Sequence, residues 1–123
     1  MRREQRLAKA RDFAAVYRKG RAFADRLLVL RLIENGLARN RYGFVTGRGI
    51  GKAVVRNKVR RRLREAVRSQ GPAGSWDMVI IARRPAAEAD FHWLRRSLGR
   101  LLGKAGVVCS PPPDDAGKEG QEG

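Results

Sequence analysis

Residues 53–68, AVVRNKVRRRLREAVR, set six arginines and one lysine against a single acid, Glu65. Within them Val55, Val59, Leu63, Ala66 and Val67 recur at i, i+4, i+8, i+11 and i+12, the apolar stripe of an amphipathic helix. At about 100° per residue, Arg56, Arg60 and Arg64, flanked by Asn57, Arg61 and Arg68, fall on a broad face turned away from that stripe. Like charges at i, i+4 cost a helix about 0.2–0.5 kcal/mol per pair, and one glutamate offsets little of it. An ordinary solvated helix surface mixes signs. A ridge of one sign points instead to an external polyanion whose binding compensates the repulsion, so the chemistry offered here is phosphate recognition.

The composition bounds what else the chain can do. With 123 residues and 42% apolar side chains it has material for one domain and one core. Its 28 basic and 12 acidic residues give a formal charge of +16, a field that favours nucleic acid as partner. The basic set is 22 arginines and 6 lysines, which fits bidentate recognition of phosphate and equally an arginine-rich genome. One cysteine, Cys109, and one histidine, His92, allow neither an internal disulfide nor a zinc cluster. A two-metal nuclease needs converging carboxylates, and hydrolysis by general acid and base needs a histidine or a carboxylate pair in a cleft. Here the acids are scattered singly: Asp77 on a strand, Glu65 among arginines, Asp12 and Asp25 near element ends. His92 sits beside Trp93 as a structural residue. The chain is therefore expected to carry no catalytic residue and no metal of its own. GRGIG, residues 47–51, matches neither a phosphate loop nor a dinucleotide fingerprint, and reads as a flexible connection needing positive φ. No apolar run approaches the roughly 20 residues that span a bilayer, and MRREQRLAKARDF lacks a secretory apolar stretch. The expected address is the cytoplasm without a membrane partner, binding of anionic lipid being the lesser alternative.

Several elements must position the basic helix. Ala10, Phe13, Val16 and Tyr17 recur at helical spacing between Lys9 and Lys19, and Gly20 stands where a left-handed helix end is expected. FADRLLVLRLIE (23–34) and, after NGLARN, RYGFVTG (41–47) read as two strands joined as a hairpin. Met78 to Ala82 form a buried strand closed by Pro85. Phe91, Leu94, Leu98, Leu101 and Leu102 mark a last amphipathic helix ending near Gly103 to Gly106. From Ser110 the composition turns to proline, glycine and acid, a disordered tail over 110–123 of net charge −3, which leaves +19 on a domain at 1–109.

KAVVRNKVRRRLREAVR (52–68) resembles the signature of the bacterial ribonuclease P protein subunit, an Arg-Asn-Arg/Lys core carried on a basic helix. LAKARDFAAVYRKGRAF (7–23) resembles that family's first helix and following turn, and WDMVIIARRPAAEADFHWLRRSLGRLL (76–102) its last strand and helix. Together these segments extend over most of residues 7–105. The resemblance implies a single small α+β domain of order αβββαβα, a ribosomal-protein-like two-layer fold. It further implies a short extra strand beside the 47–51 loop and a left-handed βαβ crossover, where sequence alone predicts the right-handed form.

The function implied is that of protein cofactor to a ribozyme. The catalytic RNA removes the 5′ leader of precursor tRNA in a Mg2+-dependent cleavage, Mg2+ being a requirement of the ribonucleoprotein and not of the protein alone. The expected partners are that RNA and precursor tRNA, with no obligatory protein partner. RNA contact carries over to Arg56, Asn57, Lys58, Arg60, Arg61 and Arg64, and the neighbouring cations Arg48, Lys52 and Arg68 are expected to bind RNA with them. Lys58 replaces an arginine often found there and Arg60 a lysine; charge survives both exchanges, bidentate geometry at 58 does not. A cleft for the single-stranded leader carries over to Phe13, Tyr17, Arg31 and Val45, with Ala10, Val16 and Ala14 expected to supply the packing of the first helix. The family's serine and consecutive basic residues after the second strand are reduced here to Gly47, Arg48, Gly49, and Arg31 stands where an aromatic is sometimes found. The alternatives are a ribosomal or general RNA-binding protein, which would lack the ordered three-part signature, and a nuclease acting alone, which would need carboxylates the chain does not group.

Overall fold

The computed structural model describes residues 3–111. Most of the expected tail, residues 112–123, lies outside them, whereas the Ser110 N–H donates to the Gly71 carbonyl at 2.8 Å. The elements run α1 (Ala10–Lys19), β1 (Arg21–Ala24), β2 (Leu28–Glu34), β3 (Arg41–Val45), α2 (Ala53–Gln70), β4 (Trp76–Ala82) and α3 (Phe91–Ala105), with 3-10 turns at Arg48–Ile50 and Arg84–Ala87. The α+β class and the order αβββαβα agree with expectation. No helix among the described residues is long and apolar enough to cross a membrane.

The expected hairpin of β2 with β3 does not form. The sheet order is β1-β2-β4-β3, with β4 antiparallel to β2 and parallel to β3. Met78, Val79 and Ile80 are wholly buried, so β4 is apolar on both faces and gains most from a central place. The connection 35–40 instead spans two inter-strand spacings, roughly 9–10 Å. The other departure lies in FADRLLVLRLIE, which breaks into two strands at Asp25. Its Oδ1 accepts the N–H groups of Leu27 and Leu28 at 2.9 and 3.0 Å and so folds the chain back on itself. The short additional strand is therefore β1, at the opposite edge of the sheet from β3 and the 47–51 loop.

Gly20 is also not in the left-handed region: its φ of −76° and ψ of 161° are extended. Glycine is needed there for room, since a Cβ would lie 2.4 Å from the Val16 carbonyl oxygen and 2.9 Å from that of Leu32. By contrast, Gly71 and Gly106 end α2 and α3 with left-handed φ of 60° and 81°. In the 47–51 loop the chain makes a 3-10 turn, and among its glycines only Gly51 takes a positive φ, 140°.

The two faces of the sheet are covered unequally. On one, Leu28, Leu30, Leu32, Met78 and Ile80 pack with the apolar stripes of α2 and α3 in a single core. On the other, α1 sets Val16 against Val79, with Leu7 completing a smaller cluster that Phe13, Ile33, Val45 and Ile81 edge. A helix of 10 residues is about 15 Å long, so α1 leaves part of this face open. Ala10 and Ala14 are exposed, so the packing of α1 rests on Val16 and Phe13 and not on the expected alanines.

Asp77 anchors the half-covered face. Its buried carboxylate accepts from Arg41 Nε and Nη2 at 2.8 and 2.7 Å and from Asn35 Nδ2 at 2.9 Å. The Arg41 guanidinium also meets Asp12 of α1 at 3.4 Å. Removing one member of a buried pair strands the other, at about 3–5 kcal/mol. Because Arg41 is partly exposed, Asp77→Ala should lower the stability measured by urea unfolding by about 3 kcal/mol, and a paired Arg41→Met, Asp77→Leu change by less. Asp25 offers a pH test. Burial works against its charge, but the Ser97 hydroxyl, the N–H groups of Leu28 and Leu27, and the Arg100 charge prevail and hold it below the usual carboxylate range. A depressed folded pKa contributes stability above the unfolded value, near pH 4, that is lost as pH falls through the folded one. Ser97→Ala should therefore shift acid unfolding to higher pH, with its stability deficit larger at pH 7 than at pH 2.

Candidate nucleic-acid interface

Helix α2 shows one wall to the core and one to solvent. Val59, Leu63, Ala66 and Val67 are buried and Val55 packs beside them, as the stripe predicts. Asn57, Lys58, Arg61, Arg64 and Arg68 are exposed, as are Lys52 just before the helix and Arg48 in the 3-10 turn. Arg56 and Arg60 are half-buried and held in place. Arg56 Nη1 donates to the Gly51 carbonyl at 3.3 Å, and Arg60 donates from Nη1 to Thr46 Oγ1 at 2.7 Å and from Nη2 to Asn57 Oδ1. The ridge is therefore of two kinds: oriented guanidiniums near the start of α2, and exposed cations farther along. Glu65 pairs with Arg68, so the one acid of the helix neutralises charge only at its far end.

The second set of expected residues lies on the half-covered sheet face. Cross-strand register aligns Arg31 with Val79 and Gly43, and Val29 with Ile81 and Val45, as neighbouring rows. The Phe13 ring sits directly over Gly43, where a Cβ would fall 2.5 Å from it. Tyr17, one helical turn on, is 42% exposed. The Arg31 guanidinium stacks on that ring at 5.1 Å and donates from Nη2 to the Tyr17 carbonyl at 2.8 Å. A cation on a last-turn carbonyl is favourable at a helix C-terminus, and it fixes the plane of the ring. Phe13, Tyr17, Arg31 and Val45 thus share one face, with Phe13 doing structural as well as surface work. The half-buried Val29 and Ile81 complete the open row. Sequence reading missed both because the strand segments read there as uniformly apolar.

The two sets converge at one place. A groove of about 210 Å3 at the β3 edge is lined by Arg60 and Arg64 of α2, Phe13 of α1, and Arg6, Leu7 and Gly43 among others. The Leu7 N–H donates to the Tyr42 carbonyl at 2.8 Å, so the segment before α1 closes one end of this edge. Arg6 and Leu7 had no signal in periodicity. Gly43 had one, a glycine interrupting a strand pattern. Among the described residues no three of His, Cys, Asp and Glu cluster as metal ligands. Asp77, Asp25 and Asp90 are engaged in the Arg41 pair, the β1–β2 turn and the cap of α3.

The chain has clear relatives. Residues 1–106 match the family model described as Ribonuclease P. The ribonuclease P protein component of Roseiflexus castenholzii is 45% identical over 120 residues, covering 93% of this chain and 98% of that one. That of Caldanaerobacter subterraneus subsp. tengcongensis is 42% identical over 101 residues, 80% of this chain and 87% of its own. The solved ribonuclease P protein of Staphylococcus aureus superposes with a TM-score of 0.76 at 30% identity, over 85% of this chain and 97% of that one. With its fold, its basic helix and its matched length in agreement, the chain belongs to the ribonuclease P protein family, the protein component of the ribonucleoprotein that processes tRNA.

Proposed function

We propose that this chain seats the catalytic RNA of ribonuclease P against α2 and holds the single-stranded 5′ leader of precursor tRNA along the open sheet face beside α1. The observation that carries this reading is the groove at the β3 edge, where Arg60 and Arg64 meet Phe13. One RNA on the ridge and another across the sheet would there be brought side by side. Unpaired bases stack on aromatic rings without regard to sequence, which suits a subunit serving many precursors. Arg31, fixed against Tyr17, adds a cation beside that platform, where the resembled family sometimes places an aromatic. The Mg2+ of the reaction is assigned to the RNA; Asp12, next to Phe13 in the chain, and Asp77 are tied to Arg41. The protein's contribution is electrostatic: it lowers the repulsion between two polyanions that would otherwise need more Mg2+ to approach.

The direct test is cleavage of precursor tRNA by protein, by catalytic RNA, and by both, across a Mg2+ titration. Protein alone should leave the substrate intact, and the pair should cleave at lower Mg2+ than RNA alone; cleavage by RNA-free protein would refute the assignment. Replacing Arg56, Arg60 and Arg64 by glutamine should weaken binding of the catalytic RNA and flatten the salt dependence by about 0.7–0.9 in log–log slope for each phosphate that is no longer neutralised. Circular dichroism should stay native. For the leader, Tyr17→Leu should leave the melting temperature nearly unchanged and weaken only precursors with leaders of several nucleotides, by roughly 5- to 150-fold for the absence of a stack of about 1–3 kcal/mol. Phe13→Leu should cost stability as well, because its ring covers Gly43.

A further inference from the structure

A second pocket, larger than the groove at the β3 edge, lies away from the open sheet face. It has a volume of about 410 Å3 and is walled by the β1–β2 turn, the 84–87 turn and α3. That volume falls in the range of small-ligand sites, about 300–1,000 Å3. Trp93 forms one wall and is 51% exposed, an unusual position for so large an apolar ring. Its plane is supported: Arg96 lies over it at 5.4 Å and His92 meets it edge-on at 5.5 Å. Arg26 and Arg100 stand on the rim, and Arg26 makes no hydrogen bond or ion pair among the described residues.

We propose that this pocket holds an unpaired nucleotide of the catalytic RNA, its base stacked on Trp93 and its phosphate paired with Arg26 and Arg100. The inference rests on the reading of α2 given above. Three observations select this occupant. First, the pocket wall is tied to the basic helix: Arg62 of α2 donates from Nη1 to the carbonyl of Ala89, which lines the pocket, at 2.9 Å. Arg48 precedes α2, a Cβ on Gly49 would lie 3.7 Å from the Arg84 guanidinium, and Arg83 donates to the Asp25 carbonyl at 2.9 Å beside the pocket. Arg83 and Arg84, both exposed, thus lie by a turn that touches the 48–50 turn and, through Pro85, the pocket. Second, the pocket opens beside α3, in the helical layer that carries α2, whereas the proposed leader path crosses the opposite face. Third, the wall is of mixed charge. Asp25 is committed to Leu27, Leu28 and Ser97, which leaves Glu88 as a carboxylate acceptor facing the cavity. A bare anion is disfavoured by that carboxylate. A nucleotide suits the wall because it brings phosphate acceptors for the arginines and base N–H donors for Glu88.

The test uses the full chain and the catalytic RNA subunit. Trp93→Leu should weaken that binding by about tenfold, the effect of removing one base stack, while Trp93→Tyr restores most of it. Arg26→Gln with Arg100→Gln should weaken it too and reduce the salt slope by about 1.4–1.8, the effect of two phosphates. Binding of long-leader over leaderless precursor by the assembled enzyme should not change. Unchanged catalytic-RNA affinity in Trp93→Leu with native circular dichroism would overturn the proposal, as would an effect confined to the leader. If the Arg56, Arg60 and Arg64 variant also binds like the native chain, the reading of α2 falls as well; if that variant is weakened and Trp93→Leu is not, only the Trp93 pocket is refuted.

Discussion

The carboxylate of Asp77, 5% exposed within the sheet, is the point through which the open face of the molecule is arranged. Asp77 and Arg41 are cross-strand partners in the parallel β4–β3 pair, so the ion pair and the register specify each other. A slip of one residue would move Arg41 into the leucine core and leave Asp77 buried without a cation. Asn35 draws the 35–40 connection to the same carboxylate, and Arg41 reaches onward to Asp12, binding α1 to the sheet. The hydrogen bond to Asp77 is also the chief cause that raises the Arg41 pKa. Parallel strands pair slightly less well than antiparallel ones, and here the parallel pair is the one with a charged clamp.

That clamp matters because the sheet presents two apolar faces and the chain has helices enough for one and a half. Helices α2 and α3 fully cover the leucine face. The short α1 covers the other only around Val16, and the row Val29, Ile81, Val45 stays half-open. An open apolar row beside ordered aromatic and guanidinium groups matches in chemistry the single-stranded leader proposed for it, with flat bases on a charged backbone. The same economy puts the basic ridge next to it. Helix α2 follows the edge strand β3 after a short turn, so its first arginines must lie at that edge. Arg60 is fixed to Thr46, in the residues that join them.

Much of this was legible without coordinates. The apolar stripe of α2, the ridge opposite it and the final helix follow from spacing, because a helix presents its own faces whatever it packs against. Strand partners do not have that property. RYGFVTG and FADRLLVLRLIE read as a hairpin because they are adjacent in sequence and correctly patterned. What displaced them was a third segment some thirty residues later whose apolar character on both faces claims the centre of the sheet. Gly20 carried a similar lesson. Its small size was evident, but the reason was an approach to the Leu32 carbonyl that no local rule contains.

By itself, then, the order of residues determined the apolar stripes, the charged helix and the net charge, which depend on local period and composition, and it carried the motifs by which the chain resembles its family. Only the tertiary structure decided which cations are oriented, since the hydroxyl of Thr46, just past the edge strand, meets Arg60 only after that strand is placed. It also decided that Arg31 would lie on Tyr17, that Phe13 would meet Arg60 and Arg64 in one groove, and that Trp93 would face a cavity with Arg26. These juxtapositions join residues far apart in the chain. Their geometry is set by sheet order and by the length of α1, neither of which is expressed in the spacing of any single segment.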